Sequence, residues 1–271
     1  MMASRIIKKI MSTDPLGFDT TKPAGAPLAL SLTSDCAFEM VWCPPGVGVV
    51  GSEKSNSLPT IEQPRQKIKI TRGFWIATTP VTLHQMQRIM SRPSTPREET
   101  GRSDHPVVGA TWSQSRMFCS KATHLLREIV PNIGSANIEL PTEAQWEYAC
   151  RAGTTERWYF GEDESLLDEF AWYASNSGGI PHPVATRQAN PWGIYDLYGN
   201  VAEWCRDEFR RYDENEIVNP MQSAEDGLMK LVRGGDYASP ANECRSACRA
   251  FCDNANINDE PTGFRIVINR S

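Results

Sequence analysis

Trp192-Gly193-Ile194-Tyr195-Asp196-Leu197-Tyr198-Gly199-Asn200-Val201-Ala202-Glu203-Trp204 is the stretch from which the rest of the chain can be read. It places two carboxylates, Asp196 and Glu203, seven positions apart, with Gly199, Asn200 and Val201 between them in an expected tight turn. A hard cation such as Ca2+ takes several oxygens at about 2.4 Å from carboxylates and backbone carbonyls together. Two carboxylates flanking a glycine-containing turn can supply them. The same pattern also reads without a metal, with Asp196 capping a turn and Glu203 paired with an arginine such as Arg233 or Arg249.

Upstream of this stretch the pattern is regular. Residues 37–51 read as two short strands around Pro44-Pro45-Gly46, and Gln66–Ile70 and Gly73–Ala77 read as two more. Thr82 is a candidate cap for a helix over Leu83–Met90, and Thr111 for one over Ser113–Val130 that Pro131 ends. Thr142 with Gln145 predicts a capping box ahead of Trp146 and Ala149. Beyond Gly153 no long amphipathic helix is predicted, only short apolar pieces broken by Gly, Pro, Asn and Asp. The expectation is one α+β domain over residues 35–271, with short strands, two main helices and much irregular structure, behind a loose leader over residues 1–34 rich in Pro and Gly.

Composition narrows the function. Of 271 residues, 28 are basic and 33 acidic, which gives a net charge of −5. That balance argues against a nucleic-acid partner, which needs a basic face. No run of about 18 apolar residues occurs, so no membrane partner is expected. The first residues lack the apolar core and cleavage site of a signal peptide, so the expected location is the cytoplasm. Nineteen Gly, nineteen Pro and eight Trp fit a loop-rich fold pinned by rings. The eight cysteines suggest either a disulfide framework or thiol chemistry. His84, His105, His124 and His182 are scattered and form no metal-binding pair, and no Gly-rich phosphate loop occurs.

Three ordered segments carry a family resemblance. They are Leu140 to Gly153 (LPTEAQWEYACRAG), Trp192 to Trp204, and Arg233-Gly234-Gly235-Asp236-Tyr237 followed by Arg245-Ser246-Ala247-Cys248-Arg249 and Gly263-Phe264-Arg265. In this order they resemble the sulfatase-modifying-factor, or formylglycine-generating enzyme, family over about residues 36–268. The resemblance implies an elaborated C-type-lectin-like fold. It also implies structural Ca2+ at the side chains of Asp196 and Glu203 and the carbonyls of Gly199 and Val201.

The family's oxidases hold Cu(I) on two cysteines in the loop after Gly-Gly, activate dioxygen and convert a sulfatase cysteine to formylglycine. Soft thiolates suit that metal. Here the first cysteine position falls near Ser239 and the second has no clear counterpart. Nine residues separate Gly235 from Arg245, a shorter loop than the enzymes', and the serine after Gly-Gly is Asp236. The family's disulfide partners of Cys119 and Cys150 fall at Ile266 and Ser246, so those bridges are not expected.

The leading expectation is therefore a family member without the copper-cysteine pair, binding a polypeptide partner. Its expected face is Tyr237, Ser239, Asn242, Arg249, Phe251, Asp253, Asn254, Asn256 and Asn258, polar groups mixed with rings. Arg245, Arg249 and Arg265 are expected to brace it from below. The alternative is an active oxidase using Cu(I) on a rearranged pair such as Cys244 and Cys248, with a sulfatase as partner and substrate. Spacing by four would put Cys244, Cys248 and Cys252 on one helical face, whereas in an extended strand it spreads successive ones about 13 Å apart.

Overall fold

The computed structural model describes residues 15–91, 103–221, 229–252 and 261–270, without the side chain of Cys252. Its centre is a five-stranded sheet in the order β1-β2-β5-β12-β6. The strands are β1 (Pro27–Thr33), β2 (Cys36–Cys43), β5 (Phe74–Ala77), β6 (Ala136–Glu139) and β12 (Val267–Arg270). The last strand thus lies inside the sheet that the first begins, antiparallel to β5 and β6.

Period-two alternation sorts the side chains of this sheet onto two faces. Phe38, Met40, Trp42, Trp75 and Ile268 join one core with α1 (Leu83–Met90) and α2 (Trp112–Ile129). Val41, Cys43, Phe74, Ile76 and Val267 join a second core with Trp146, Ala149 and Cys150 of α3 (Glu143–Arg151). The three helices start alike, at Thr82, Thr111 and Thr142. In each the threonine hydroxyl accepts the backbone N–H three residues on, and a glutamine there reaches back. Not all of the apolar set expected to face inward does so: Met117 and Ile129 are exposed.

Two smaller sheets flank α3. One has the order β3-β4-β8, from β3 (Gly46–Val50), β4 (Gln66–Ile70) and β8 (Ile217–Val218). The other has the order β10-β9-β7-β11, from β7 (Ala202–Glu208), β9 (Lys230–Arg233), β10 (Arg249–Cys252) and β11 (Thr262–Gly263). After α3 the described residues hold only a four-residue helix, α4 (Leu167–Phe170), and short 3-10 turns, as the broken apolar pattern predicts.

The leader expected over residues 1–34 ends earlier than its composition suggested. From Pro27 the chain is already β1, and Leu16, Leu30 and Leu32 are buried. Pro and Gly here shape the turn into an edge strand and leave the leucines to the core.

Candidate functional site

The turn between Asp196 and Glu203 is assembled first, because its backbone requires it. Asp196, Gly199 and Asn200 all have positive φ. A Cβ at Gly199 would sit 2.0 Å from the Trp172 carbonyl oxygen, so only glycine fits. The Asn200 amide, fully buried, donates to the His182 carbonyl and to Asp196 Oδ1, while its oxygen accepts the His182 N–H.

Both carboxylates of the turn are already engaged. Asp196 Oδ2 accepts the Ala185 N–H at 2.8 Å and Oδ1 accepts Asn200 Nδ2 at 3.2 Å. Burial pushes the Asp196 pKa up to about 6. Glu203 receives two 2.6 Å bonds from Arg265, Nε to Oε2 and Nη2 to Oε1, and Oε2 also takes the indole N–H of Trp146. Arg265 donates further to the carbonyls of Ala77 and Tyr195.

As arranged, this set does not fit the calcium expected at Asp196, Gly199, Val201 and Glu203. The guanidinium supplies the positive charge that Glu203 needs, and an ion there would have to displace it. The metal-free reading has the right form, except that the partner is Arg265. Arg233 lies opposite Glu203 in the β-ladder but bonds Glu147, and Arg249 bonds Glu143.

The Gly234-Gly235 loop is built differently. Ser239, at the first catalytic-cysteine position of the family, is buried. Its hydroxyl accepts the Asp236 N–H at 3.1 Å, and its carbonyl accepts the Ala174 N–H. Cys244 is fully buried against Gly235, and burial pushes its thiol well above the usual range. Cys248 is half-buried, and its thiol is pushed up to about 12 by burial and then by Glu62. Without a bound cation, both thiols are held in the protonated form by burial. Cys252 belongs to β10, but its side chain is outside the described residues.

Cys150 does face Ser246, with Sγ 3.9 Å from Oγ, and Cys119 shares a core cluster with Ile266. The thiol of Cys150 therefore meets a hydroxyl, and Cys119 lies in a hydrocarbon core.

Beside this loop lies a cavity of about 190 Å3, lined among others by Gly234, Asp236, Ser239, Glu243, Cys248 and Phe251. Of the expected binding face, Tyr237 is half-buried and Asn242 and Phe251 are exposed. Arg249 is not on that face. It is buried and holds Glu143 with two bonds of 2.6 and 2.9 Å and the Ile61 carbonyl with a third. Burying a guanidinium requires such partners. Arg245 likewise holds Glu62 with two bonds, so both arginines brace the segment, through carboxylates more than carbonyls. Asp253, Asn254, Asn256 and Asn258 lie outside the described residues.

A second and larger cavity, about 800 Å3, adjoins the first at Glu243, Cys248 and Ala250. It runs between residues 51–65 and the 156–162 turn, and no motif in the sequence pointed to it. Its walls carry Glu156, Arg157 and Glu162 from one turn, and the fold brings Arg65 to them.

The arrangement of two-layered core, short flanking sheets and long loop-rich half is that of a C-type-lectin-like domain in its elaborated form. The structure superposes on Treponema denticola variable protein 1 with a TM-score of 0.77 at 24% identity, covering 92% of this chain and 100% of that one. The chain belongs to the sulfatase-modifying factor enzyme 1-like domain family, whose model matches residues 31–270. It is 31% identical over 188 residues to the formylglycine-generating enzyme of Streptomyces coelicolor, covering 64% of this chain and 54% of that protein. It is also 33% identical over 171 residues to the serine/threonine-protein kinase pkn1 of Chlamydia caviae, covering 62% of this chain and 24% of that protein. The chain thus spans about a quarter to a half of these curated relatives. No helix among the described residues is long and apolar enough to cross a membrane.

Proposed function

We propose that the chain is a formylglycine-generating-enzyme-family domain without a copper-cysteine centre, and that it binds a polypeptide partner over the face around the Gly234–Cys248 loop. One observation carries the reading. Among the described residues that line the cavity beside Gly234-Gly235, Ser239 stands at the expected cysteine position and Cys248 supplies the one thiol. A serine hydroxyl cannot replace a thiolate for Cu(I). A rigid lectin-like scaffold presenting Asn242, Phe251 and Tyr237 suits recognition of a polypeptide. The sulfatase-directed activity of the family would then persist at most as an ability to hold protein segments.

Cu(I) titration of the purified chain, competed by a chelator, tests this directly. The expected outcome is no stoichiometric tight binding. Tight binding that disappears in Cys244→Ser or Cys248→Ser would overturn the reading in favour of an oxidase with a rearranged thiol pair. Measured oxidation of a cysteine in a sulfatase-derived peptide, dependent on those thiols, would have the same effect.

A further inference from the structure

A third cavity, of about 530 Å3, shares no lining residue with the two beside the Gly234–Cys248 loop. Its walls come from the turn between β4 and β5, from Asn219-Pro220, from β6, β7 and β12, and from the start of α3. Three arginines, Arg72, Arg206 and Arg270, line it together with one carboxylate, Glu139. The whole chain carries a net charge of −5, so the sign is reversed locally.

The hydrogen-bonding groups of this cavity are unequally used. Glu139 Oε2 accepts Arg206 Nη1 at 2.6 Å and Asn269 Nδ2 at 2.9 Å. Asn269 Oδ1 in turn accepts Gln145 Nε2 at 2.7 Å, and Gln145 Oε1 accepts the Thr142 N–H in the cap of α3. On another wall the Asn219 amide oxygen accepts the Thr71 N–H, and its nitrogen donates to the Thr71 hydroxyl. These three amides are engaged at both ends, which fixes the walls.

What remains is mostly donors. Arg206 bonds Glu139 through Nη1 alone, and Arg72 reaches the Arg270 carbonyl through Nη1 at a long 3.4 Å. The Nε and Nη2 of both forks have no acceptor among the described residues. Neither fork is sealed off, since Arg72 is exposed and the Arg206 side chain is 29% exposed. The hydroxyls of Thr71 and Thr142 each accept one bond and keep their own proton to give. Against these donors stands a single carboxylate oxygen, Glu139 Oε1.

We propose that this cavity binds a small organic anion, a carboxylate or a phosphate ester, held by Arg72 and Arg206. A planar guanidinium fork matches either group with paired bonds. The volume is that of a small-molecule site. A metal cation would find one carboxylate, already held by a guanidinium. An apolar ligand would take the free donors out of water without giving them an acceptor. Such binding is independent of what the Gly234–Cys248 loop holds.

Isothermal titration calorimetry on the full chain, at constant ionic strength, tests this with succinate, citrate and glycerol 3-phosphate, and with succinamide as the neutral control. Saturable one-to-one binding of at least one anion is expected, and none of succinamide. Binding by the two carboxylates alone, or by the phosphate ester alone, supports the site and names its ligand class. Arg72→Gln should weaken the bound anion about tenfold, with unchanged denaturant unfolding because the side chain is exposed. Arg206→Gln should weaken it at least as much. No saturable binding of any of the three anions overturns the proposal. So does unchanged affinity in both variants, or succinamide binding as tightly as succinate, because charge would then not be what the cavity reads.

Discussion

Arg265 and Arg157 show how differently one side chain is used in two parts of this molecule. Arg265 is fully buried, spans Glu203 with two short bonds and ties β5, the Asp196 turn and β7 together through carbonyls. Arg157 lies over the Trp158 ring, its guanidinium carbon 4.4 Å from the centroid, with its side chain 33% exposed and Nε without an acceptor. Arg245 and Arg249 follow the first pattern, each on a glutamate from a distant part of the chain, and Arg233 is as deeply buried on Glu147 although its Nε has no acceptor. Arg65 follows the second. Where the fork is buried against a carboxylate, arginine fixes the fold. Where its tip reaches the surface, as in Arg65 and Arg157, the fold depends on it less.

The largest effect should come from breaking the inner pattern. Arg265→Met leaves Glu203 buried without its countercharge and should cost about 3–5 kcal/mol by denaturant unfolding. Arg265→Met/Glu203→Gln should recover part of that loss, because the stranded charge goes with it. A single substitution costing less than about 1 kcal/mol would show that Arg265 is no staple.

Asp196 tests the same region through pH. Its folded-state pKa of about 6 lies above the ordinary carboxylate value of 3.8, so the native state holds a proton that the unfolded chain has released. Stability from this group is greatest when the native carboxyl is protonated and falls as pH rises through about 6, by roughly 3 kcal/mol in all. The melting temperature of Asp196→Asn should therefore vary less than the parent's between about pH 4 and pH 7. In the parent, EDTA should leave the melting curve unchanged. A calcium-dependent rise that Asp196→Ala abolishes would mean that Glu203 exchanges its guanidinium for the ion.

The limits of sequence reading follow the same division. The three helix starts were legible because a threonine cap and a glutamine three residues later form a local device. The Asp196–Glu203 turn was legible because glycine and asparagine mark positive φ. The Cys150–Ser246 contact followed from the family resemblance, and the structure shows it at 3.9 Å.

The partner of Glu203 was not legible, since Arg265 is 62 residues away and Arg233 and Arg249 were equally plausible on charge alone. Glu62 and Arg245 are 183 residues apart. Arg249 reads in the sequence both as part of the binding face and as a brace beneath it, and only the brace holds. It is buried because Glu143 stands 106 residues upstream to receive it. Ion pairs of that range have no periodicity to betray them.

The smallest effects should come from the outer arginines, and they decide whether the division is real. Arg157→Ala loses a partly exposed cation–π contact with Trp158 and should cost about 0.5–1 kcal/mol. Arg65→Ala removes an exposed ion pair with Glu53 and should cost no more than about 1 kcal/mol. Deleting either also deletes a shielded donor that lacks an acceptor, which offsets part of the loss. Denaturant unfolding can resolve these values from the cost at Arg265. A cost at Arg157 equal to that at Arg265 would mean its Nε is satisfied in solution, and the division between inner and outer arginines would fall. A near-neutral result at both positions would show that the outer arginines do not hold the fold together.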